Sequence, residues 1–268
     1  VKAILISLSR GNVGGQLADL LQSGEQGNWI RGVDVSEPRT AAEKAAGLLA
    51  DDVKSVEQGK QMGNPDARVA FESSLGDSPL SEFATAYWGQ GTGDFARFGK
   101  FWWEVVAVHP SWEYGQSTVN STAHFSGRVH AVFWEQGKGE LVEMAEALKH
   151  RLKNIHYRGA EAWNKHGVSV TMMGALRATL YTGQIFDGNC GALALKNNLH
   201  LPAIWCFCSS PEYNEAVRDI DQALKVTNAT LVKIPFDVDH WTKVAEEQYP
   251  NGLPQPYTND PTQWIFHG

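Results

Sequence analysis

One stretch in the middle of the chain combines residue types that can bind phosphate and stack on bases. It spans residues 89–98 and reads GQGTGDFARF, directly after Tyr87 and Trp88 and shortly before the aromatic run at 101–103. Backbone amides of a glycine-rich turn can bind an anion, and an arginine can pair with a phosphate. Aromatic rings can stack on bases or fill a core. By residue type alone, an anion-binding turn and a structural turn are equally favoured.

Polar and basic side chains in or beside turns are the candidates for contact with nucleic acid. Arg97 lies in the glycine-rich stretch, Arg128 follows a Ser-Gly turn, and Lys165 lies in another turn. Arginine and lysine anchor phosphates, and arginine also reads guanine in the major groove. For each cation the alternative is a solvated surface charge. The predicted DNA-binding residues are Thr92, Arg97, Arg128, Lys165 and Arg177.

Other kinds of site are not indicated. The three cysteines, Cys190, Cys206 and Cys208, have neither the number of a disulfide framework nor zinc-ligand spacing, which favours a reducing cytoplasm. The histidines form no His-x-x-x-His pair, and no Gly-x-Ser-x-Gly nucleophile motif occurs. We therefore assign no catalytic, cofactor-binding or metal-binding residue. The tryptophans expected in the core are Trp102, Trp103, Trp134 and Trp163.

A second glycine-containing turn suggests an alternative function. An apolar strand pattern leads into Gly11-x-x-Gly14-Gly15, and Val33-Asp34 follows a short helical pattern. This order imitates a dinucleotide-binding βαβ unit, although the spacing differs from Gly-x-Gly-x-x-Gly. A small NAD-binding oxidoreductase is therefore one alternative, and a protein-interaction module is another.

Composition limits the possible classes of protein. The chain has 268 residues, of which 43% are hydrophobic and 10% aromatic, so a disordered or low-complexity protein is excluded. No apolar run approaches the ~20 residues that span a bilayer, and no membrane association is expected. The chain starts on an apolar strand pattern and stops on the apolar run 264–266, so we expect a segment of a longer protein.

The net charge of −7 argues, taken alone, against binding to nucleic acid. The charge is unevenly distributed, however. Residues 82–210 carry 11 basic and 10 acidic side chains, and the acidic excess lies on both flanks. The middle of the chain therefore presents no charge barrier to a polyanion.

Patterns of hydrophobic residues predict mostly short strands with a few helices, which is an α+β fold. Helices are expected at 38–58 and 140–153 and after a capping box that starts at Ser209. The expected strands are 1–8, 29–35, 102–108, 129–134, 168–172, 192–195, 201–208 and 231–234.

Five segments together resemble one protein family. Residues 87–98 fit Tyr-x-Gly-x-x-Thr-Gly-Asp-x-x-Arg-Phe, and this pattern resembles the start of the target-recognition domain of SAM-dependent adenine-N6 DNA methyltransferases. These enzymes belong to type IIG restriction–modification and BREX-like phage-defence proteins. The other segments that are similar to this family are 30–44, 201–212, 224–236 and 260–268.

The resemblance implies a domain order and a function. Residues 1–80 would be the tail of the methyltransferase core, with its last α/β sheet strands and a helical linker. Residues 81–236 would be a β-rich DNA target-recognition domain, and 237–268 a C-terminal extension. The implied partners are double-stranded DNA and the catalytic domain of the parent protein, which would flip an adenine and methylate it from SAM. This region would read neighbouring bases and anchor phosphates.

The catalytic motifs of that family do not occur in the sequence. The one Asn-Pro pair, Asn64-Pro65, is followed by Asp66, so it lacks the aromatic residue of Asn-Pro-Pro-aromatic. The glycine-rich SAM-binding loop is also missing. We therefore expect SAM to bind the full-length protein outside this chain.

Overall fold

The computed structural model describes residues 4–7, 28–35, 40–61, 78–105, 109–148, 151, 155–156 and 158–266. Contacts between Cα atoms divide the chain into two compact units, 1–77 (unit 1) and 78–268 (unit 2). Both contain helices and antiparallel sheets, which confirms the α+β class in outline. That unit 1 derives from a methyltransferase sheet stays a prediction.

Unit 1 contains a three-stranded antiparallel sheet. Its strands are β1 (Ile4–Ser7), β2 (Trp29–Asp34) and β3 (Lys54–Glu57), and β2 lies between the other two. The helices in the described part of this unit are α1 (Ala41–Ala50) and the single turn α2 (Gln58–Gln61). The helix predicted at 38–58 is therefore shorter than expected, because the chain turns extended after Ala50 and joins the sheet.

A reciprocal capping box fixes the start of α1. The Glu43 backbone N–H donates to the Thr40 hydroxyl over 3.2 Å, and the Thr40 N–H donates to the Glu43 carboxylate over 2.9 Å. These bonds satisfy two backbone donors that would otherwise have no partner at the helix end. Residues 36–39, where the sequence suggested the helix start, lie outside the described residues.

The pairing of β1 with β2 disagrees with the oxidoreductase alternative. The two strands run antiparallel, with Ile4 opposite Asp34. A dinucleotide-binding βαβ unit requires parallel strands joined by a crossover helix. The turn at 11–15 itself lies outside the described residues. The described strands β1 and β2 therefore do not form the parallel unit on which that alternative depended.

The described part of unit 2 forms two four-stranded sheets and one two-stranded sheet. Its strands are β4 (Ala84–Trp88), β5 (Gly91–Thr92), β6 (Gly99–Phe101), β7 (Trp112–Gln116), β8 (His130–Phe133), β9 (Ile155–His156), β10 (Gly167–Thr171), β11 (Ala178–Tyr181), β12 (Ile185–Phe186) and β13 (Cys190–Leu195). The first sheet has the order β11-β10-β13-β4 and is antiparallel throughout. The second has the order β12-β7-β8-β6, with β12 and β7 parallel, and β5 pairs with β9.

The described part of unit 2 contains six α-helices. They are α3 (Phe95–Phe98), α4 (Glu140–Leu148), α5 (Leu201–Ser209), α6 (Pro211–Ile220), α7 (Val238–Gln248) and α8 (Pro261–Trp264). Helix α5 packs on β10 and β11 and against α7. Residues 237–268, which the sequence suggested as a separate extension, therefore lie within unit 2.

Strand β13 is buried on both faces. Leu193 and Leu195 point into the core beneath α5, whereas Cys190, Ala192 and Ala194 belong to a smaller cluster on the opposite face. This separation follows the two-residue period of a strand. The central strand is therefore covered on both sides, which explains its continuous apolar sequence.

The segment 201–208 is a helix, and the strand predicted there is wrong. Six consecutive residues, from Ala203 to Cys208, are buried in α5. A helix that is buried all round has no polar face, so its sequence is as uniformly apolar as that of a buried strand. Pro202 in the first turn was the local signal for a helix, because backbone N–H groups there have no partner within the helix and proline has none.

Other expectations also need correction. Trp102–Glu104 and Thr230–Val232 form 3-10 turns, which differs from the strands expected at 102–108 and 231–234. Residues 106–108 of the first expected strand lie outside the described residues. Of the tryptophans expected in the core, Trp134 is buried, but Trp103 is 57% exposed and stacks on Phe101 at 4.5 Å. An aromatic run can pack against itself at the surface, which composition cannot distinguish from core packing.

A polar contact links three separate segments of unit 2. The Tyr249 hydroxyl lies 3.0 Å from His124 Nε2 and accepts a hydrogen bond from the Trp205 indole N–H over 3.1 Å. The His124 and Trp205 rings are also in contact, with centroids 4.9 Å apart. Burial lowers the pKa of His124 below its ordinary value of 6.5. Histidine is therefore neutral here when the protein is folded at neutral pH.

This histidine predicts a loss of stability in acid. The folded state takes up the proton at lower pH than the unfolded state. The contribution of His124 to the free energy of unfolding is therefore fully present above about pH 6.5 and is lost as the pH drops below that value. Burial lowers the pKa of His130 as well, so both contribute with the same sign. Urea unfolding at pH 7.5 and 5.5 should show the loss, and His124→Gln should reduce its size. The exposed control His166→Gln should keep the full loss; an unchanged loss in His124→Gln would contradict the assignment.

Candidate functional site

A cleft of about 560 Å³ lies where the two four-stranded sheets of unit 2 meet. Trp88 at the end of β4 contributes one wall, and residues of β7, β8 and β12 contribute the others. The sheets are joined because Gln90 pairs with Asp187, and the Gln90 N–H donates to the Phe186 carbonyl over 2.7 Å. The glycine-rich stretch singled out in the sequence therefore lines this cleft.

Gly89 permits the close approach of the two chains. A Cβ atom at this position would lie 2.1 Å from the Asp187 carbonyl oxygen and 2.4 Å from that of Phe186. Backbone atoms in a paired segment cannot move aside, so only glycine fits. The first glycine of the stretch thus has a structural role, and the residues after it form the cleft wall.

Two cations surround an exposed tryptophan in the cleft, and we call Trp88, Arg158 and Lys225 the cationic group. The Arg158 guanidinium carbon lies 4.3 Å from the Trp88 ring centroid, and Lys225 Nζ lies 5.4 Å from it. The Trp88 indole and the Lys225 ammonium both donate to the Gly188 carbonyl, over 2.6 and 2.7 Å. This shared acceptor holds the lysine beside the ring, which stays 41% exposed.

No carboxylate within the described ranges pairs with either cation of this group. The guanidinium of Arg158 is partly removed from water, and this burial lowers its pKa. Burying an unpaired charge is costly, and an anion that enters the cleft would offset that cost. The cationic group is therefore a candidate site for a negatively charged ligand.

The position of Arg158 depends on its neighbours. Its backbone N–H donates to the Gln90 side-chain oxygen over 3.0 Å. Gly159 follows with a φ of +83°, and a Cβ there would lie 2.7 Å from the Phe186 ring. Both conditions favour glycine, so this turn places Arg158 at the cleft.

Phe95, His130 and Phe101 form an aromatic group. The His130 ring lies 5.0 Å from each phenyl ring, and Phe95, which lines the cleft, is 46% exposed. Burial lowers the pKa of His130, although the negative charge of Asp187 partly opposes this effect. The Asp94 carboxylate accepts from the Arg97 N–H over 3.2 Å and so caps the helical turn that carries Phe95.

The acidic side chain of the cleft is engaged within the protein. The Asp187 carboxylate accepts hydrogen bonds from the Ser117 hydroxyl and, over 2.7 Å, from the Asn189 backbone N–H. Its neighbour in the wall, Gln116, is fully buried and donates to the Ser117 and Ser126 carbonyls. Asp187 is therefore a structural group, and it does not neutralise the cationic group directly.

Two of the predicted DNA-binding residues lie in or beside the cleft. Thr92 lines it directly. Arg177 is exposed in a neighbouring, more open depression of about 510 Å³, and Asn189 borders both. The structure thus brings Thr92 and Arg177 to adjoining surfaces.

Arg97 and Lys165 lie outside the cleft lining. Arg97 forms an ion pair with Glu140, and its guanidinium lies 5.1 Å from the Phe98 ring. Lys165 is exposed, with its ammonium 5.5 Å from the Tyr87 ring. Their contact with DNA stays a prediction.

Arg128 is buried inside unit 2, with an exposed fraction of 0%. Its guanidinium donates to the Leu180 carbonyl over 2.7 Å and to the Ser126 carbonyl over 3.2 Å, and it lies 4.8 Å from the Trp264 ring. Burial lowers its pKa to about 9, so the group is still charged at neutral pH. Because its donors point into the protein, we remove Arg128 from the DNA-binding set. A Ser-Gly turn before an arginine did not reveal this burial.

Sequence reasoning missed Arg158 and Lys225. Lys225 falls in a segment quoted for the family resemblance, and Arg158 precedes a glycine, but neither has a local motif. They meet at Trp88 because the chain returns to the end of β4 twice. Arg158 follows Trp88 by 70 positions in the sequence, and Lys225 follows it by 137.

The described residues contain no group of three or more His, Cys, Asp or Glu side chains that could hold a metal ion. They also contain no helix that is long and apolar enough to cross a bilayer.

The burial of Arg128 predicts a structural role. Arg128→Ala should lower the free energy of unfolding by about 2–4 kcal/mol, because the Leu180 carbonyl loses a buried donor, the Ser126 carbonyl loses one of two donors, and a cavity remains. Arg128→Met, which keeps most of the volume, should cost less. Arg151→Ala, an exposed control, should change stability by less than about 0.5 kcal/mol in urea unfolding. A fully stable Arg128→Ala protein with weaker DNA binding would restore the contact role.

No model of a known protein family matches this chain, and a search of curated proteins finds no significant match.

Proposed function

We propose that the chain provides sequence-specific DNA recognition for an adenine-N6 DNA methyltransferase of a restriction–modification or phage-defence system. The observation that carries this proposal is the cationic group, in which Arg158 and Lys225 lie beside exposed Trp88 without a carboxylate partner in the described part of the chain. The five segments that resemble the methyltransferase family support the specific form of the proposal.

The chemistry of the cleft suits nucleic acid. Phosphates are bound by arginine and lysine, and bases stack on aromatic rings and on guanidinium planes. An arginine, a lysine and aromatic rings all line this one cleft, and Trp88 and Phe95 are its two exposed rings. The net charge of −7 does not oppose this, because the region 82–210 has a slight basic excess.

Base discrimination would come from side chains at the cleft rim. Thr92 can hydrogen-bond to a base edge, and Arg177 in the adjoining depression can pair with guanine in the bidentate way. Arg97 and Lys165 are proposed as phosphate contacts outside the cleft. Arg128 contributes through stability alone.

Methyl transfer would belong to the catalytic domain of the parent protein. Neither the SAM-binding loop nor the Asn-Pro-Pro-aromatic motif occurs in this sequence. The antiparallel pairing of β1 and β2 also differs from a parallel nucleotide-binding unit, so the described strands do not fit a SAM site. The proposed partners of this chain are therefore double-stranded DNA and that catalytic domain.

Salt-dependent retention of duplex DNA tests the proposal. The chain should bind a pool of random duplexes at about 50 mM salt and lose affinity steeply at 200 mM, because each phosphate contact releases a counterion. Arg158→Ala and Lys225→Ala should each weaken binding and reduce the salt slope by about 1.

Two exposed cations outside the cleft provide matched controls. Arg151→Ala and Lys243→Ala remove the same charges from other parts of unit 2 and should change duplex binding less. Failure of the unmodified chain to retain duplex at low salt would contradict DNA binding. Equal losses in the cleft variants and the controls would contradict the placement of the site.

Selection from randomised duplexes tests sequence recognition. The unmodified chain should enrich a consensus sequence, and Arg177→Ala should relax the preference at one position by about 1–3 kcal/mol. Thr92→Val, which removes one hydroxyl group while keeping the shape, should alter a different position. Enrichment of no consensus would leave a DNA-binding protein without the proposed specificity.

A further inference from the structure

We propose that the cleft between the cationic group and Phe95 binds a single nucleotide unit, with its base against the Phe95 ring and its phosphate held by Arg158 and Lys225. This inference rests on the proposed function, since it assigns a ligand to the same cleft. The adenine that is methylated would enter the catalytic domain of the parent protein, so the nucleotide in this cleft is a different one.

The size of the cleft favours one nucleotide over a duplex. Its volume of about 560 Å³ falls within the range of about 300–1,000 Å³ that is typical of small-molecule sites. A double helix is too wide to enter such a space and would remain outside. A base that has left the stack, with its sugar and phosphate, is of the right class.

One part of the cleft can receive a flat apolar ring. Val132, Ile185 and Phe186 contribute apolar lining, and Phe95 adds an exposed aromatic face. His130, which packs against Phe95, is kept uncharged at neutral pH because burial lowers its pKa. An aromatic surface of this kind stacks on any base, since each base has a π face.

The cationic group supplies the complementary site for phosphate. The Lys225 ammonium is held by the Gly188 carbonyl and, over 3.3 Å, by Asn189 Oδ1. Arg158 is fixed by its backbone bond to Gln90, while no described acceptor is bonded to its guanidinium. Neither cation has a carboxylate partner among the described residues, so both can pair with a dianion or a phosphodiester.

Polar groups remain for the edge of the base. Asn189 uses its side-chain oxygen toward Lys225, which leaves its amide N–H donors without a described partner. The Thr92 hydroxyl likewise has no described hydrogen bond. A bound base would find these donors together with apolar walls, which is the usual composition of a specific ligand site.

A free nucleotide and an unstacked nucleotide in DNA share this chemistry. Extruding a base from a duplex costs a few kcal/mol, and the cost is smallest where the base is already unpaired. Binding of a duplex with one bulged nucleotide therefore tests a nucleotide within DNA as the ligand, and binding of a mononucleotide tests a free nucleotide.

Calorimetry on the full chain tests the ligand class. The probes are dAMP, dTMP, deoxyadenosine and inorganic phosphate. At least one mononucleotide should bind more than about tenfold tighter than either fragment, because ring stacking and phosphate pairing both contribute. Equal binding of dAMP and phosphate would overturn the role of Phe95, and equal binding of dAMP and deoxyadenosine would overturn the role of the cationic group.

Variants locate the site. Phe95→Ala and Arg158→Ala should each weaken mononucleotide binding about tenfold, by loss of a stacking surface and of a charged hydrogen-bond donor. Exposed residues of matched type elsewhere in unit 2, Tyr257→Ala and Arg151→Ala, should bind as the unmodified chain does. Because two different variants test the site, a folding defect in one, visible as a lowered Tm, leaves the other informative.

Bulged and fully paired duplexes of the same sequence separate this inference from the proposed function. A preference for the bulged duplex that disappears in Phe95→Ala supports a DNA nucleotide in the cleft. Mononucleotide binding without that preference supports the free nucleotide as ligand, even if duplex binding fails. Duplex binding without bulge preference and without mononucleotide binding at millimolar concentration overturns the inference and leaves the proposed function standing.

Discussion

The architecture of unit 2 depends on the main-chain junction between residues 89–90 and 186–187. Here a segment leaving the first sheet lies against the end of β12 in the second, at a separation that excludes any side chain at Gly89. Trp88 and Thr92, which precede and follow the junction in the sequence, both line the cleft. The cleft is thus a consequence of how two sheets are joined. Its residues come from distant segments because each sheet contributes its own strand ends.

Two arginines show how desolvation separates structural from functional charge. Arg128 and Arg158 both lose water on folding, and burial lowers the pKa of each. The Arg128 guanidinium donates hydrogen bonds to the Leu180 and Ser126 carbonyls and lies beside the Phe125 and Trp264 rings. Arg158 gains a tryptophan face but no described acceptor for its guanidinium. The two terminal nitrogens of Arg128 have acceptors within the fold, whereas no described acceptor bonds to the Arg158 guanidinium, and this difference makes the cleft a candidate binding site.

Sequence patterns predicted the elements whose two faces differ in polarity. They also predicted short apolar strands that are bounded by turn residues. The strands at His130–Phe133, Gly167–Thr171 and Cys190–Leu195 lie where they were expected. The segment 201–208 was misassigned because α5 is buried all round, and an apolar run without polar positions has no period to measure. Its helical state is decided by packing between the first sheet and α7.

By itself, the sequence determined the α+β class in outline, and it pointed to the glycine-rich stretch that lines the cleft. Glycines, aromatics and capping residues act over a few positions, so their effect can be read locally. Only the tertiary structure decided which cations matter. It buried Arg128, paired Arg97 with Glu140, and brought Arg158 and Lys225 to Trp88. Solvation and long-range proximity set the role of a charge, and neither is encoded in the residues next to it.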